Sequence, residues 1–342
     1  MSDALHWGII GTGTIAHIFA GGIAESNTGT LLAVGSRTQD GADSFGATWH
    51  VPRRYGSYAE LLMDKDVDAV YISTPHPLHV EWAIKAAEAG KHILCEKPLA
   101  LNYAQAEAMI EAARRNDVFL MEAFMYRCHP QTAKLVELIR SGVIGRVRVI
   151  QATFSFQSKD DLEGRLLNNA LGGGGILDVG CYCASVARLV AGAANGQGFS
   201  DPVRVVGVGH VGETLVDEYA VAALSFPSDI IAELFTGVRV NGGSTLHIYG
   251  AEGSIFVPSP FTPRSGESLS IVVKKDDEEE AREIFVANTA DLYALEADTV
   301  AQYIAARQAP AMNWEDSLGN MRTLDQWRAE VGVVYAADQQ EG

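Results

Sequence analysis

Cysteine is scarce in this chain: four residues in 342, at Cys95, Cys128, Cys181 and Cys183. That is too few for a disulfide framework. Cys181 and Cys183 are spaced C-x-C, with no second pair to complete the four ligands of a closed zinc site, so no metal is expected. Unbridged thiols point to a reducing cytoplasm. Basic residues are also short. Twenty-six Lys plus Arg stand against 43 Asp plus Glu, a net charge of −17. Nucleic acid and anionic membrane surfaces repel such a chain, which excludes both as partners. An anionic ligand has to be held by a local set of donors. No apolar run approaches the roughly 18 residues of a membrane span. The opening Met1-Ser2-Asp3-Ala4-Leu5-His6 has no basic region and no separate apolar region, and reads as mature fold rather than an export signal. What is present is ordinary for a soluble globular protein: 47% hydrophobic and 20% charged residues. The length suits two domains, at roughly 100–200 residues each.

The first part of the chain alternates apolar runs with helix-like segments. Runs at 6–10, 31–35, 69–73, 92–95 and 118–121 read as strands, and segments 15–25, 58–64, 79–89 and 102–116 as helices. This repetition predicts a parallel sheet with crossover helices. Continuous rather than alternating apolar strands predict a sheet covered on both faces. The pattern changes after about residue 125. A helix at 131–141 precedes a long β-branched and aromatic run at 146–156. Runs at 203–210, 219–226, 230–240, 245–249 and 269–274 then follow with short turns, predicting a mostly antiparallel meander. The acidic stretch 276–280 reads as a solvated hairpin tip. Helices at 290–307 and 314–331 close the chain. The expectation is an α/β chain of two domains, residues 1–125 and 126–342.

Gly11-Thr12-Gly13-Thr14-Ile15-Ala16 follows the first strand and opens the first helix, a G-x-G-x-x-A motif in the context it needs. The first glycine allows the tight turn, the second lets a pyrophosphate approach the backbone, and the small third residue permits close packing. Exposed N–H groups at the helix start then hold the anion. The second strand ends in Gly35-Ser36-Arg37-Thr38. NAD-binding folds place an acid there to accept from the ribose 2′-hydroxyl. Arg37 instead pairs with a 2′-phosphate through its planar fork, with Ser36 and Thr38 as further donors. NADP is therefore the expected cofactor. NAD stays open, because Arg37 can also stack on adenine and Asp40 is near.

Glu96-Lys97-Pro98 follows the fourth strand, at the carboxyl edge where open α/β sheets bind ligands. A lysine there can polarise a reacting oxygen; the alternative is a surface lysine. Gly172-Gly173-Gly174-Gly175-Ile176-Leu177-Asp178-Val179-Gly180-Cys181-Tyr182 is a glycine-rich entry to a helix running to about Ala191. Asp178 and Tyr182 are four apart, so a helix puts them on one face. Asp178 is stabilised near the helix N-terminus. A nearby ammonium would favour the phenolate of Tyr182 and bring it toward proton-transfer range. The plain alternative is that Asp178 caps the helix and Tyr182 packs.

These elements, together with Thr74-Pro75-His76 and His79, stand in the order found in the glucose–fructose oxidoreductase / inositol dehydrogenase (Gfo/Idh/MocA) family, which the chain resembles over nearly its whole length. Met121-Glu122-Ala123-Phe124-Met125-Tyr126-Arg127-Cys128-His129-Pro130 is similar to the dimeric dihydrodiol dehydrogenase / NADP-xylose dehydrogenase branch. The resemblance implies a Rossmann domain and an α/β domain with a large, open, predominantly antiparallel mixed sheet. It implies nicotinamide-dependent oxidation or reduction of a sugar, polyol or related diol. It makes Lys97 catalytic and lines the site with Asp178 and Tyr182. It assigns Thr74, Pro75, His76, His79, Glu96 and Arg165 to the cofactor side. His79 has two readings, a ribose contact or a cap on its own helix. An open sheet exposes a broad face, so a homodimer through it is expected, with a tetramer as the alternative.

The expected mechanism is hydride transfer between a carbinol carbon and the nicotinamide. Tyr182 moves the proton, Lys97 stabilises the oxyanion and lowers the tyrosine pKa, and Asp178 orients the substrate hydroxyls and holds Lys97 in place. An alternative makes Lys97 the proton carrier. Two rival functions are a dinucleotide-sensing regulator without catalysis and a redox-assisted glycosidase that recycles its cofactor.

Overall fold

The computed structural model describes residues 4–159, 162, 164–263, 269–287 and 290–339. The chain forms two compact units. One gathers the residues up to 100 with 104–128 and 290–317; the other holds 101–103, 129–289 and the residues from 318.

In the first unit, strands and helices alternate as β1 (Leu5–Ile10), α1 (Thr14–Glu25), β2 (Gly29–Gly35), α2 (Gln39–Trp49), β3 (Arg53–Tyr55), α3 (Tyr58–Leu62), β4 (Ala69–Ile72), α4 (His79–Glu88), β5 (His92–Glu96), α5 (Tyr103–Arg115) and β6 (Leu120–Ala123). The sheet order is β3-β2-β1-β4-β5-β6. Every pairing is parallel. This is the dinucleotide-binding order, with its reversal point between β1 and β4. Every residue of β4 is buried, as expected for a strand covered on both faces. Two elements have no counterpart in the sequence reading. α2 carries glycines and acids and buries only Ala42, Phe45 and Gly46, so its apolar stripe is thin. β3 is three half-buried residues at the sheet edge.

The second unit is built from α6 (Pro130–Arg140), β7 (Val147–Gln157), α7 (Cys181–Ala194), β8 (Arg204–Val211), β9 (Asp217–Phe226), β10 (Ile230–Gly237), β11 (Arg239–Gly250), β12 (Gly253–Val257), β13 (Leu269–Lys275) and β14 (Arg282–Val286). Their order is β14-β13-β12-β11-β7-β10-β9-β8. β7 and β10 pair parallel; the other pairs are antiparallel, so the sheet is mixed. The run at 230–240 divides into β10 and the start of β11. β12, only five residues long, was not expected, whereas β14 is the second strand that the hairpin reading of 276–280 requires. The acidic stretch 276–280 is exposed between β13 and β14. β9 alternates buried and exposed residues along its length. The helical stretch 169–194 is apolar enough by composition to cross a bilayer, yet its most apolar window is wholly buried in the fold.

The chain then returns to the first unit, which a single cut at 125/126 does not describe. Helix α8 (Leu292–Tyr303) is capped by Asp291, whose carboxylate accepts from the amides of Tyr293 and Ala294 at 2.9 and 3.2 Å. Ser26 and Thr28 each donate to Asp298 at 2.6 Å. A side-chain carbon at Gly22 of α1 would come within 2.6 Å of Tyr293 Cβ, so glycine there lets α1 and α8 approach. Arg307 pairs with Asp117. At the start of α9 (Trp314–Val331), the Trp314 indole donates to the Leu120 carbonyl at 3.0 Å. Arg127 and Asp316 form a buried ion pair at 2.6 Å. Local periodicity carries no record of such long-range partners.

Glu296 of α8 is completely buried, and neither carboxyl oxygen has a hydrogen-bond partner among the described residues. Burial, and then the charge of Glu96, push its pKa well above the usual carboxylate range. The folded chain therefore holds this proton where the unfolded chain has lost it. Stability from this group is complete below the unfolded pKa and falls as pH rises toward the folded one. Glu296→Gln is expected to raise the urea midpoint at pH 8 more than at pH 4.5. Equal shifts at both pH values would remove Glu296 as the source of the slope.

Candidate active site

The nucleotide end begins where β1 runs into α1. Gly11 has φ +109°, a conformation glycine takes readily, and its amide donates to the Gly35 carbonyl at 3.0 Å. A side-chain carbon there would stand 2.8 Å from Ser73 Oγ, whose own hydroxyl donates to the Ile10 carbonyl at 3.0 Å. Gly13 is the N-cap of α1. Among the described residues, no side chain caps this helix, and a carbon built on Gly13 meets nothing within 4 Å. The first-turn amides of Thr14, Ile15 and Ala16 have no acceptor within the helix; Thr14 is exposed, Ile15 half-buried and Ala16 buried. These residues fit a pyrophosphate.

At the end of β2, Arg37 is exposed and Ser36 is buried. The Ser36 hydroxyl shares a hydrogen bond of 3.3 Å with that of Thr12, which turns it toward the first glycine loop. Thr38 has a structural task. Its oxygen accepts from the Gly41 amide at 3.2 Å and caps α2, so only its hydroxyl proton is left to donate elsewhere.

Thr74, Pro75 and His76 follow β4, with Thr74 and His76 buried. His79 opens α4 and is fully buried. Its Nε2 lies 2.9 Å from the Thr74 carbonyl, and its Nδ1 3.1 and 3.3 Å from those of Pro98 and Leu99. This corrects both sequence readings. The ring has no surface to offer a ribose, and the N-cap position belongs to Leu78. His79 ties the loop after β4 to the loop after β5 instead. Burial lowers its pKa.

The Glu96-Lys97-Pro98 segment lies at the end of β5, with the Lys97–Pro98 bond cis. Glu96 is buried. Its Oε1 accepts from the Tyr71 hydroxyl at 2.5 Å and its Oε2 from the Lys97 amide at 3.2 Å. Glu122 of β6, also buried, accepts from the Leu99 amide at 2.8 Å. Lys97 therefore sits on a backbone fixed by Glu96, Glu122 and His79. Glu96 serves the lysine loop through its side chain and is turned inward.

In the second unit, the glycine run does not lead straight into an α-helix. Ile176–Gly180 is a π turn, and α7 starts at Cys181. Single π turns of this kind often mark functional sites. The step from Asp178 to Tyr182 thus spans two helix types. Gly172 and Gly174 have φ of +68° and +110°. Asp178 and Tyr182 are 7% and 3% exposed. The Arg165 guanidinium donates to Asp178 Oδ1 at 2.9 Å, so the arginine assigned to the cofactor side is engaged with the candidate catalytic carboxylate. The Tyr182 ring packs against Phe154 and Phe261, each with centroids 5.4 Å away. Three residues missed by the sequence reading hold the run. Asp217 accepts from the Ile176 amide, Thr236 donates to the Gly175 carbonyl, and the Tyr335 hydroxyl donates to the Gly173 carbonyl. None of them lies in a motif or near the run in sequence, so no local signal marks them.

The arrangement is matched by known proteins. An oxidoreductase family with an NAD-binding Rossmann fold, GFO_IDH_MocA, matches residues 5–124, and the GFO/IDH/MocA C-terminal domain matches residues 132–256. The trans-1,2-dihydrobenzene-1,2-diol dehydrogenase of Danio rerio is 33% identical over 347 residues, covering 98% of this chain and 100% of that one. A D-xylose 1-dehydrogenase (NADP(+)) of Haloferax volcanii is 30% identical over 337 residues, 97% and 99% of the two chains. Among solved structures, a 3-ketoreductase from Actinomadura kijaniata in complex with NADP and TDP-benzene superposes with a TM-score of 0.84 at 29% identity, covering 96% of this chain and 98% of that one. With family matches on both halves and relatives aligned end to end, the chain belongs to the GFO/IDH/MocA family of oxidoreductases.

Proposed function

We propose that this oxidoreductase acts on a CH–OH group of a sugar, polyol or related diol and uses NADP in preference to NAD. The observation that carries the cofactor choice is Arg37, exposed at the end of β2 where an NAD site has an acid. The uncapped start of α1 and the open space at Gly13 support the pyrophosphate position. When bound, the nicotinamide supplies or accepts the hydride. The protein's part is proton and charge handling. Tyr182 gives a proton to the substrate oxygen in reduction and takes it back in oxidation. Lys97 stabilises the negative charge on that oxygen. Asp178, braced by Arg165, orients the neighbouring substrate hydroxyls. The relatives named above act on diols and sugars, which supports the substrate class. The first unit is the cofactor domain and the second the substrate domain.

The test is a panel of aldoses, polyols and dihydrodiols followed at the reduced-nicotinamide absorbance with each cofactor. Arg37→Ala is expected to weaken NADP binding by about tenfold or more, from the loss of one charge-assisted fork, and to leave NAD binding nearly unchanged. Equal losses for the two cofactors would remove Arg37 from 2′-phosphate recognition.

Homodimerisation through the second sheet belongs to the same reading. Val206, Val208, Val221, Ile231 and Tyr249 are all exposed on β8–β11. The register sets Val208 beside Val221, Ile231 beside Val149, and Val149 beside Tyr249, so they share one face. The four cysteines are thiols, three of them buried, which supports a cytoplasmic location.

A further inference from the structure

We propose that Asp217 is a positioning residue, which with Thr236 holds the backbone carrying Asp178 and Tyr182. The inference takes the roles of those two residues from the reading above.

Asp217 opens β9 and lies 41 residues beyond the π turn it touches. Its Oδ2 accepts from the Ile176 amide at 2.7 Å, the first residue of that turn. A side-chain carbon on Gly174 would collide with Oδ1, and one on Gly175 would stand 2.8 Å from the Gly237 Cα and 3.2 Å from Oδ2. The two glycines therefore leave the room that the carboxylate and β10 fill. Thr236, on β10, donates to the Gly175 carbonyl at 3.0 Å. Amide and carbonyl of adjacent residues are thus gripped from neighbouring strands.

A simple helix cap is a weaker account of this aspartate. Caps are usually local and solvent-facing, and a serine or asparagine satisfies one amide as well. Asp217 is completely buried, and its Oδ1 has no hydrogen-bond partner among the described residues. Such burial is costly and is tolerated only where the group is well fixed. Its position matches that demand. The backbone it fixes leads within two residues to Asp178 and within six to Tyr182. Proton transfer to a substrate oxygen depends on side chains placed within a fraction of an ångström.

The test compares Asp217→Ala, which removes the acceptor, with Asp217→Asn, which keeps one, and uses Thr236→Val as a milder lesion on the same run. Near-UV circular dichroism selects the folded variants. In folded Asp217→Ala, the amides of 176–182 should exchange with deuterium roughly tenfold faster, as expected when a buried amide loses its acceptor. Those of β8 and β10 should be unchanged. Asp217→Asn should stay near wild type, and Thr236→Val should show a smaller acceleration confined to the same segment. With an active substrate, kcat should fall about 10–100-fold in Asp217→Ala while the KM for NADP holds, and Asp217→Asn should recover most of it. Unchanged exchange at 176–182 in Asp217→Ala overturns the proposal. If the alanine variant does not fold, fast local exchange in a folded Asp217→Asn, or none in Thr236→Val, overturns it equally. A wild-type protein that turns over no polyol or diol defeats the functional reading alone. The exchange data then still decide whether Asp217 holds the turn.

Discussion

Tyr182→Phe is expected to lower kcat by about 10²–10⁴-fold, the range lost when a positioned proton donor is removed. The substitution isolates the hydroxyl. The ring is almost fully buried against Phe154 and Phe261, and phenylalanine preserves both contacts. Removing one buried hydroxyl costs on the order of 1 kcal/mol of stability, so the folded population at 25 °C should hardly change. Cofactor affinity, read by quenching of protein fluorescence, should persist, because the glycine loop and Arg37 belong to the other unit. Lys97→Met should also slow turnover. The two single variants and the double variant then separate the roles. Residues acting on one oxygen as a unit give a double variant little worse than the worse single one. Unchanged turnover in Tyr182→Phe would hand the proton to Lys97.

The second large effect concerns stability. Asp316→Ala is expected to cost about 3–5 kcal/mol, because it strands the Arg127 guanidinium in the interior. Both side chains are nearly fully buried, and Nη2 lies 2.6 Å from Oδ2. The pair joins the turn after β6 to the start of α9, so its loss also loosens the returning segment 290–317. Urea unfolding and limited proteolysis within 290–317 measure the two consequences. A loss below about 1 kcal/mol would rank this pair with surface bridges, which contribute 0–1 kcal/mol. Replacing both partners by apolar residues of similar volume should restore much of the stability, since the penalty lies in the unpaired charge.

The parallel sheet, the glycine loop and the identity of the family were legible in the residues alone because each rests on short-range pattern. A continuous apolar strand, a G-x-G-x-x-A turn and a helix start lie within about fifteen neighbouring positions. They are specified by backbone sterics and periodicity that any local window contains. The same holds for the lysine after β5 and the tyrosine after the glycine run, each flagged by its motif. Weakly patterned elements were lost. α2 has a thin apolar stripe, and β3 and β12 are too short for periodicity to speak.

Only the tertiary structure decided what supports the site. His79 looked like a ligand or a cap and proved to be a brace between two loops. Arg165 looked like a cofactor contact and pairs with Asp178. Asp217 carried no signal at all and grips the turn that bears the candidate catalytic residues. The segment 290–317 packs with a sheet that the chain completed more than 160 residues earlier. The reason is common to all four. Burial makes every polar group find a partner, and the chain is free to supply it from any distance. Adjacency in sequence determines which elements form, whereas the partners of buried polar groups are determined by how those elements pack.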